Sequence, residues 1–406
     1  MKKIVLIFIL ISVFIANLSA QKNEQLYAQG RKLFKTNNYR NAANTFSTLI
    51  NTSSYYYEAY MYRARCYHAM QMEDSALLDF NTSLEKNPKY LAGFYYRGVY
   101  FFEMKIYSKA LSDFSSILKT KPNYSKALSY RGQTYEAMGK DDLALSDYSK
   151  AIASGTKYYD VYYRRALLYR KQNRLKAAAY DLRMVLKLKP DFQKAYSLRG
   201  VIEVERGRYA ESLKNLNKAV SMDSEDEAAL TARARAYIET QQFDMALADY
   251  NILVKHFHTR NTEVYLQRGR LFVSQGEFTK AQKDFSRILV INPRNSEACT
   301  ENAKVYLLKN RVQQSIPVAT KAIGFDKKNW EAYYVRGKAY FLLKKWSEGL
   351  KDLNTSIDLH PTADAYFYRG QCRAEKGDKL GACTDLKQAK KMGSELVLPE
   401  MLRLCR

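Results

Sequence analysis

Small residues recur along this chain at a nearly fixed interval. Gly30, Ala64, Gly98, Gly132, Ala166, Gly200 and Ala234 are each 34 residues apart, and the series continues at Gly269, Ala303, Gly337 and Gly370. Twelve residues after each lies a second small position: Ala42, Ala76, Ala110, Ala144, Ala178, Ser212, Ala246, Ala281, Ser315, Gly349 and Ala382. Four residues further on a bulky apolar side chain usually follows, as at Phe46, Phe80, Phe114, Tyr148, Leu182 and Phe285. A spacing of four keeps both positions on one helical face, and the paired small residues let two helices cross closely. Turn-prone residues such as Asn37, Gly139, Asn173, Gly207, Gly276 and Gly377 separate the two apolar stretches, and Pro88, Pro122, Pro190, Pro293 and Pro361 close their units at one phase. Proline there ends one helix and admits the next. The pattern predicts an all-α chain of helix–turn–helix units, none of which can bury its apolar face without a neighbour.

The stretch Tyr95-Tyr96-Arg97-Gly98, followed by Phe101, Tyr107, Ala110, Phe114, Leu118 and Pro122, resembles the tetratricopeptide repeat signature almost position by position. The resemblance covers residues 21–396 and implies a right-handed superhelical solenoid of about eleven repeats. Their expected spans are 23–56, 57–90, 91–124, 125–158, 159–192, 193–226, 227–260, 262–295, 296–329, 330–362 and 363–396, with 397–406 as a C-terminal cap. It also implies a non-catalytic scaffold that binds peptides or partner proteins in a groove lined by the first helices.

Residues 1–20 fall outside the repeat. Met1-Lys2-Lys3 precedes an apolar run from Ile4 to Ala16, and Asn17-Leu18-Ser19-Ala20 ends in a small residue suited to cleavage before Gln21. This is the pattern of a secretory signal peptide, and the run is shorter than the roughly 20 apolar residues that span a bilayer. Export to the periplasm or cell surface of a bacterium is therefore expected, with no integral membrane span. The formal net charge of +25 suits an acidic protein or an anionic envelope component; a nucleic-acid partner is not expected in an exported chain of this repeat type.

Arginine immediately precedes the small landmark at Arg63, Arg97, Arg131, Arg165, Arg199, Arg233, Arg268, Arg336 and Arg369. Asp79, Asp113, Asp147, Asp181, Asp249, Asp284, Asp352 and Asp385 each lie sixteen residues after one of these arginines. Repeats that have one partner have the other, except the sixth, where Arg199 faces Asn215; the first and ninth have neither. Such covariation within one chain predicts structural ion pairs inside each repeat, among them Arg97–Asp113, Arg131–Asp147 and Arg165–Asp181. These arginines are expected to hold the scaffold rather than bind a ligand.

In the resembled family the residue three before the small landmark faces the groove. That implies groove-binding roles for Tyr27, Met61, Tyr95, Tyr163, Tyr334 and Phe367. Tyrosine combines a large rigid contact area with a hydroxyl, which suits peptides and, as the alternative, a carbohydrate or envelope polymer. No repeat places Lys at this position with Asn four residues later, so the chaperone-binding clamp of the family is not expected. Two repeats depart from the pattern. The seventh ends in His256-Phe257-His258 with one extra residue near Asn261; the ninth has Ala319 at the bulky position and Pro317 within its second helix, which predicts weaker stacking and a hinge over 300–325.

Of five cysteines, Cys66 and Cys299 occupy positions that pack inside. The end of the chain resembles that of many exported bacterial repeat proteins. A Cys383–Cys405 disulfide would staple the cap to the last repeat, with Cys372–Cys383 as the alternative pairing. No nucleophile elbow, P-loop, zinc-protease or dinucleotide motif appears; neither catalysis, a cofactor nor a metal is expected.

Overall fold

The computed structural model describes residues 2–257, 260–397 and 405, with backbone alone for residues 2–17. The His258 end of the seventh repeat and most of the expected cap lie outside the described residues. Among those described, every regular element is an α-helix. No helix among them is long and apolar enough to cross a membrane.

The chain forms two compact units, Met1–Ala195 and Tyr196–Arg406. The first contains α1 (Lys2–Lys35) and α2 (Tyr39–Thr52), α3 (Tyr57–Ala69) and α4 (Glu73–Lys86), α5 (Leu91–Glu103) and α6 (Tyr107–Thr120), α7 (Ser125–Ala137) and α8 (Asp141–Ala153), and α9 (Tyr159–Lys171) and α10 (Leu175–Leu188). The division falls in the first turn of α11 (Gln193–Glu205). The second unit continues with α12 (Tyr209–Met222), α13 (Glu227–Glu239) and α14 (Phe243–Phe257), α15 (Thr262–Ser274) and α16 (Phe278–Ile291), and α17 (Ser296–Leu308) and α18 (Val312–Phe325). It ends with α19 (Trp330–Leu342) and α20 (Trp346–Leu359), then α21 (Ala363–Glu375) and α22 (Lys379–Lys391). Each unit is thus a stack of helix–turn–helix repeats.

The small landmark and the bulky residue sixteen positions later touch. A Cβ added at Gly98 would stand 2.8 Å from the Phe114 ring, and one at Gly132 would stand 2.6 Å from Tyr148. These contacts set the distance between the two helices of a repeat, and Phe46, Phe80, Phe114, Tyr148 and Phe285 are buried in the layer between them. The turn joining the helices uses a left-handed residue throughout. Asn37, Gly139, Asn173, Gly207, Gly276, Asn310 and Gly377 have positive φ as their chemistry suggests, but so do Gln71, Lys105, Gln241 and Lys344. The fold imposes this conformation even where the residue type does not favour it.

In the ninth repeat α18 runs unbroken through Pro317, and α17 and α18 lie as close as the helices of other repeats. The ninth repeat lacks the ion pair and carries smaller bonds at other positions. Ser315 Oγ donates to the Ala303 carbonyl at 3.0 Å, and Asn329 Nδ2 donates to Ser296 Oγ and Thr300 Oγ1 at 2.8 and 2.9 Å. The buried residues there are small: Ala303, Ala319, Ala322 and Val335. At the C-terminus, Cys383 and Cys405 form a disulfide, while Cys66, Cys299 and Cys372 are buried free thiols. Val397 packs on the last apolar cluster of the second unit.

Candidate functional site

Eight repeats contain the same ion pair. In each, arginine Nε and Nη2 donate to the two oxygens of the aspartate sixteen residues later, a bidentate geometry. Arg97 reaches Asp113 at 2.9 and 2.8 Å, Arg131 reaches Asp147 at 2.7 and 2.8 Å, and Arg165 reaches Asp181 at 2.8 Å through both nitrogens. The aspartates are buried and the arginines nearly so. At Arg131 the bond to Asp147 outweighs burial of the guanidinium and raises its pKa.

The third nitrogen has a use that the sixteen-residue spacing does not disclose. Arg131 Nη1 donates to Ser115 Oγ at 3.2 Å, on the second helix of the preceding repeat. Arg63 makes the same bond to Ser47, Arg97 to Asn81, Arg233 to Asn217, Arg336 to Thr320 and Arg369 to Asn354. Each arginine therefore joins both helices of its repeat and the repeat before it. Arg199, without an aspartate, keeps a buried Nε with no hydrogen-bond partner. In the eight paired arginines the Nε–Nη2 fork is taken by the aspartate and is not free for a ligand.

First helices of neighbouring repeats come close together, α3 to α5 and α17 to α19 among them, whereas second helices do not approach to the same degree. The first-helix face is therefore the inner one. Of the residues expected to line it, Met61 and Phe367 are only 2% and 8% exposed and belong to apolar cores. Burial removes both from a binding role, a correction to the spacing rule. Tyr27, Tyr95, Tyr163 and Tyr334 are half-buried. Tyr27 packs on Tyr56 and Tyr62, Tyr95 on Tyr96, Tyr124 and Tyr130, and Tyr163 on Phe192. Tyr334 touches Tyr368 and donates its hydroxyl to Asp364 Oδ2 at 3.4 Å. Burial raises the pKa of Tyr27, Tyr95 and Tyr334, so all three stay neutral donors.

The residue immediately after the small landmark was not singled out by the repeat pattern, yet it lines the same face. In the first unit, Arg65 lies 3.8 Å from the Tyr96 ring centroid and 4.4 Å from that of Phe34, and Arg31 lies over Tyr27 and Tyr62. In the second unit the same register carries Arg270 and Lys304. Arg270 pairs with Glu301 at 2.6 Å and Glu297 at 2.8 Å, and Lys304 pairs with Glu331 at 2.6 Å. The available signal was a basic residue recurring one step past the landmark. Beside this face, His68 sits between Glu73 and Glu103, with ring nitrogens 2.9 and 2.6 Å from their oxygens. Among the described residues no cluster of three or more His, Cys, Asp or Glu could hold a metal ion.

A tetratricopeptide repeat family model matches residues 131–191, 197–257 and 231–296. Over 177 residues the chain is 27% identical to the DnaJ homolog subfamily C member 3 of Gallus gallus, covering 43% of this chain and 30% of that protein. Over 130 residues it is 29% identical to Tetratricopeptide repeat protein 6 of Homo sapiens, covering 31% and 25% respectively. The matches span less than a third of the length of these curated relatives. Among solved structures, the chain is similar to a tetratricopeptide repeat protein from Parabacteroides merdae ATCC 43184, at 24% identity and TM-score 0.48, covering 61% of this chain and 98% of that one. It is also similar to YrrB, described as a TPR protein with an unusual peptide-binding site, at 21% identity and TM-score 0.42, covering 46% and 95%.

Proposed function

As a tetratricopeptide repeat protein, this chain carries a scaffold suited to protein–protein interaction, and we propose that it holds peptide segments of partner proteins on the inner face of its first unit. One observation carries the reading: half-buried tyrosines on successive first helices form two groups, Tyr27 with Tyr62 and Tyr95 with Tyr96 and Tyr130, and Arg65 lies over both Tyr62 and Tyr96 between them. Half-buried tyrosines are rigid before a ligand arrives, so little side-chain freedom is lost on binding.

The test is selection of a displayed random-peptide library on the immobilised full chain, with the Tyr95→Ala/Tyr163→Ala double variant as counter-target. Peptides enriched on the natural protein and lost on the variant are expected. No enrichment, or equal enrichment on both, would remove the binding face. The apolar run Ile4–Ala16 and the small residue Ala20 support export, and with it a place in envelope assembly or secretion. N-terminal sequencing of the protein from its own cells should read Gln21 first; an intact Met1 would overturn export by cleavage.

A further inference from the structure

The same register of the inner face carries cations in both units, and they differ in what they meet. In the second unit, Arg270 and Lys304 have carboxylates of their own on the following repeat. In the first unit, Arg65 and Arg31 have none: no carboxylate among the described residues lies within ion-pair distance of either. The nearby acids are otherwise engaged. His68 takes up Glu73 and Glu103, and Glu58 lies among the hydroxyls of Tyr27, Tyr56, Tyr57 and Tyr90.

Arg65 is nevertheless held in place. Phe34 of the preceding repeat and Tyr96 of the following one both lie against its guanidinium, and Tyr62 of its own helix lies 5.2 Å away. Such contacts use the faces of the planar cation and leave its N–H edge available. Arg31 rides on the same Tyr62 ring at 5.8 Å. Two guanidinium groups thus flank one tyrosine, both lacking an anionic partner and one of them immobilised by three rings.

We infer that Arg31 and Arg65 form a docking site for an acidic segment of a partner protein, bound in extended form with its side-chain carboxylates on the two guanidinium groups. This deepens the peptide-binding reading and rests on it. Charge complementarity selects the ligand: a fixed guanidinium fork fits a carboxylate bidentately, and the chain has a net charge of +25. Alternate residues of an extended peptide project on one side roughly 7 Å apart, so two acids separated by one residue can meet both arginines. The intervening side chain, on the far side of the strand, need not be acidic.

The experiment is fluorescence anisotropy of the full chain with labelled, C-terminally amidated decapeptides. One alternates Glu and Leu; its neutral counterpart alternates Gln and Leu. The acidic peptide should bind at least about tenfold more tightly, and Arg65→Gln should reduce it to the level of the neutral one. Arg65→Lys keeps the charge but loses the planar fork, and should fall between. Arg31→Gln, at an exposed position, tests the site without disturbing packing and should weaken binding several-fold. Arg235→Gln is the matched control, because Arg235 shares this register, is exposed and lies over no aromatic ring among the described residues; it should leave binding nearly unchanged.

Equal binding of the acidic and neutral peptides would overturn the inference, as would equal losses from Arg65→Gln and Arg235→Gln. Tight binding of the neutral peptide only when its C-terminus is free would assign the site to a terminal carboxylate instead. An oligothymidylate binding more tightly than the acidic peptide, with the same dependence on Arg65, would assign it to nucleic acid. Library selection that succeeds without acidic enrichment would defeat this inference while leaving the peptide-binding reading intact.

Discussion

In the first unit the residues that precede α3, α5, α7 and α9 are Tyr56, Tyr90, Tyr124 and Tyr158, and none of these side chains caps its helix. In the second unit the corresponding residues are Asp226, Asn261, Asn295, Asn329 and Thr362, and every one accepts a bond from a backbone N–H of the first turn. A missing cap costs on the order of 1 kcal/mol. Three of the tyrosines offset it with a ring contact, Tyr56 on Tyr27, Tyr90 on Tyr57 and Tyr124 on Tyr95, each worth roughly 0.5–1.5 kcal/mol. The first unit has therefore exchanged local helix satisfaction for an aromatic surface at little net loss. The second has kept these caps and closes Arg270 and Lys304 of its inner face onto acids, while Lys338 of the same register lies over the Tyr368 ring. One backbone plan thus carries two surfaces: the first holds Arg65 among three rings with no carboxylate among the described residues beside it, and the second closes Arg270 and Lys304 onto acids.

The arginine ladder is common to both units, so its loss should not distinguish them. Arg131→Leu and Arg336→Leu should each cost about 3 kcal/mol, mainly from the aspartate left buried and unpaired. A cycle of Arg131→Leu, Asp147→Leu and the double variant in denaturant unfolding measures the coupling; additive losses would deny the pair its role. Next in size, Asn329→Tyr imports the arrangement of the first unit into the second. It removes a cap together with the bonds to Ser296 and Thr300 and should cost about 2 kcal/mol. Unchanged hydrogen-exchange protection in α19 would show that capping does not separate the units.

The reverse change, Tyr158→Asn, should stabilise α9 by about 1 kcal/mol. Tyr158 is 42% exposed, makes no ring contact among the described residues and gives up little when replaced. Lower protection in α9 would mean that the tyrosine already contributes more than a cap. The smallest effect concerns His68. Burial opposes its charge, but hydrogen bonds and attraction from Glu103 and Glu73 prevail, so its pKa is raised above 6.5. Its stabilising contribution is complete below 6.5 and fades as pH rises through the higher folded value. Protection of α3 and α5 should fall over that window, and His68→Gln should remove the dependence. A pH-independent profile in the natural chain would break the proposed link.

The spacing of Gly98, Ala110 and Phe114 is enough to read a helix pair, because two helices can cross closely only where a small residue faces a bulky one at a fixed separation. The sixteen-residue covariation likewise identifies Arg131 and Asp147, whose donors and acceptors the fold brings together. Met61 and Phe367 escape the spacing rule because a groove-facing register says nothing of how deeply a neighbouring repeat covers it. Arg65 is not legible in its own repeat because its neighbours, Phe34 and Tyr96, lie about 31 residues away on either side and meet it only when repeats stack.

By itself, then, the sequence determined what repeats: the helix pairs, the close crossings, the Arg–Asp bridges and the positions of the turns. Each follows from residues in a single repeat, where chain connectivity already fixes the geometry. Stacking decided the rest. It made left-handed turn residues of Gln71 and Lys344, gave each ladder arginine a third partner on the preceding repeat, and buried Met61. It also placed Arg65 among rings from three repeats while closing Arg270 and Lys304 onto acids. Whether a charge is satisfied depends on what the next repeat presents to it, and that distance is not written in any one of them.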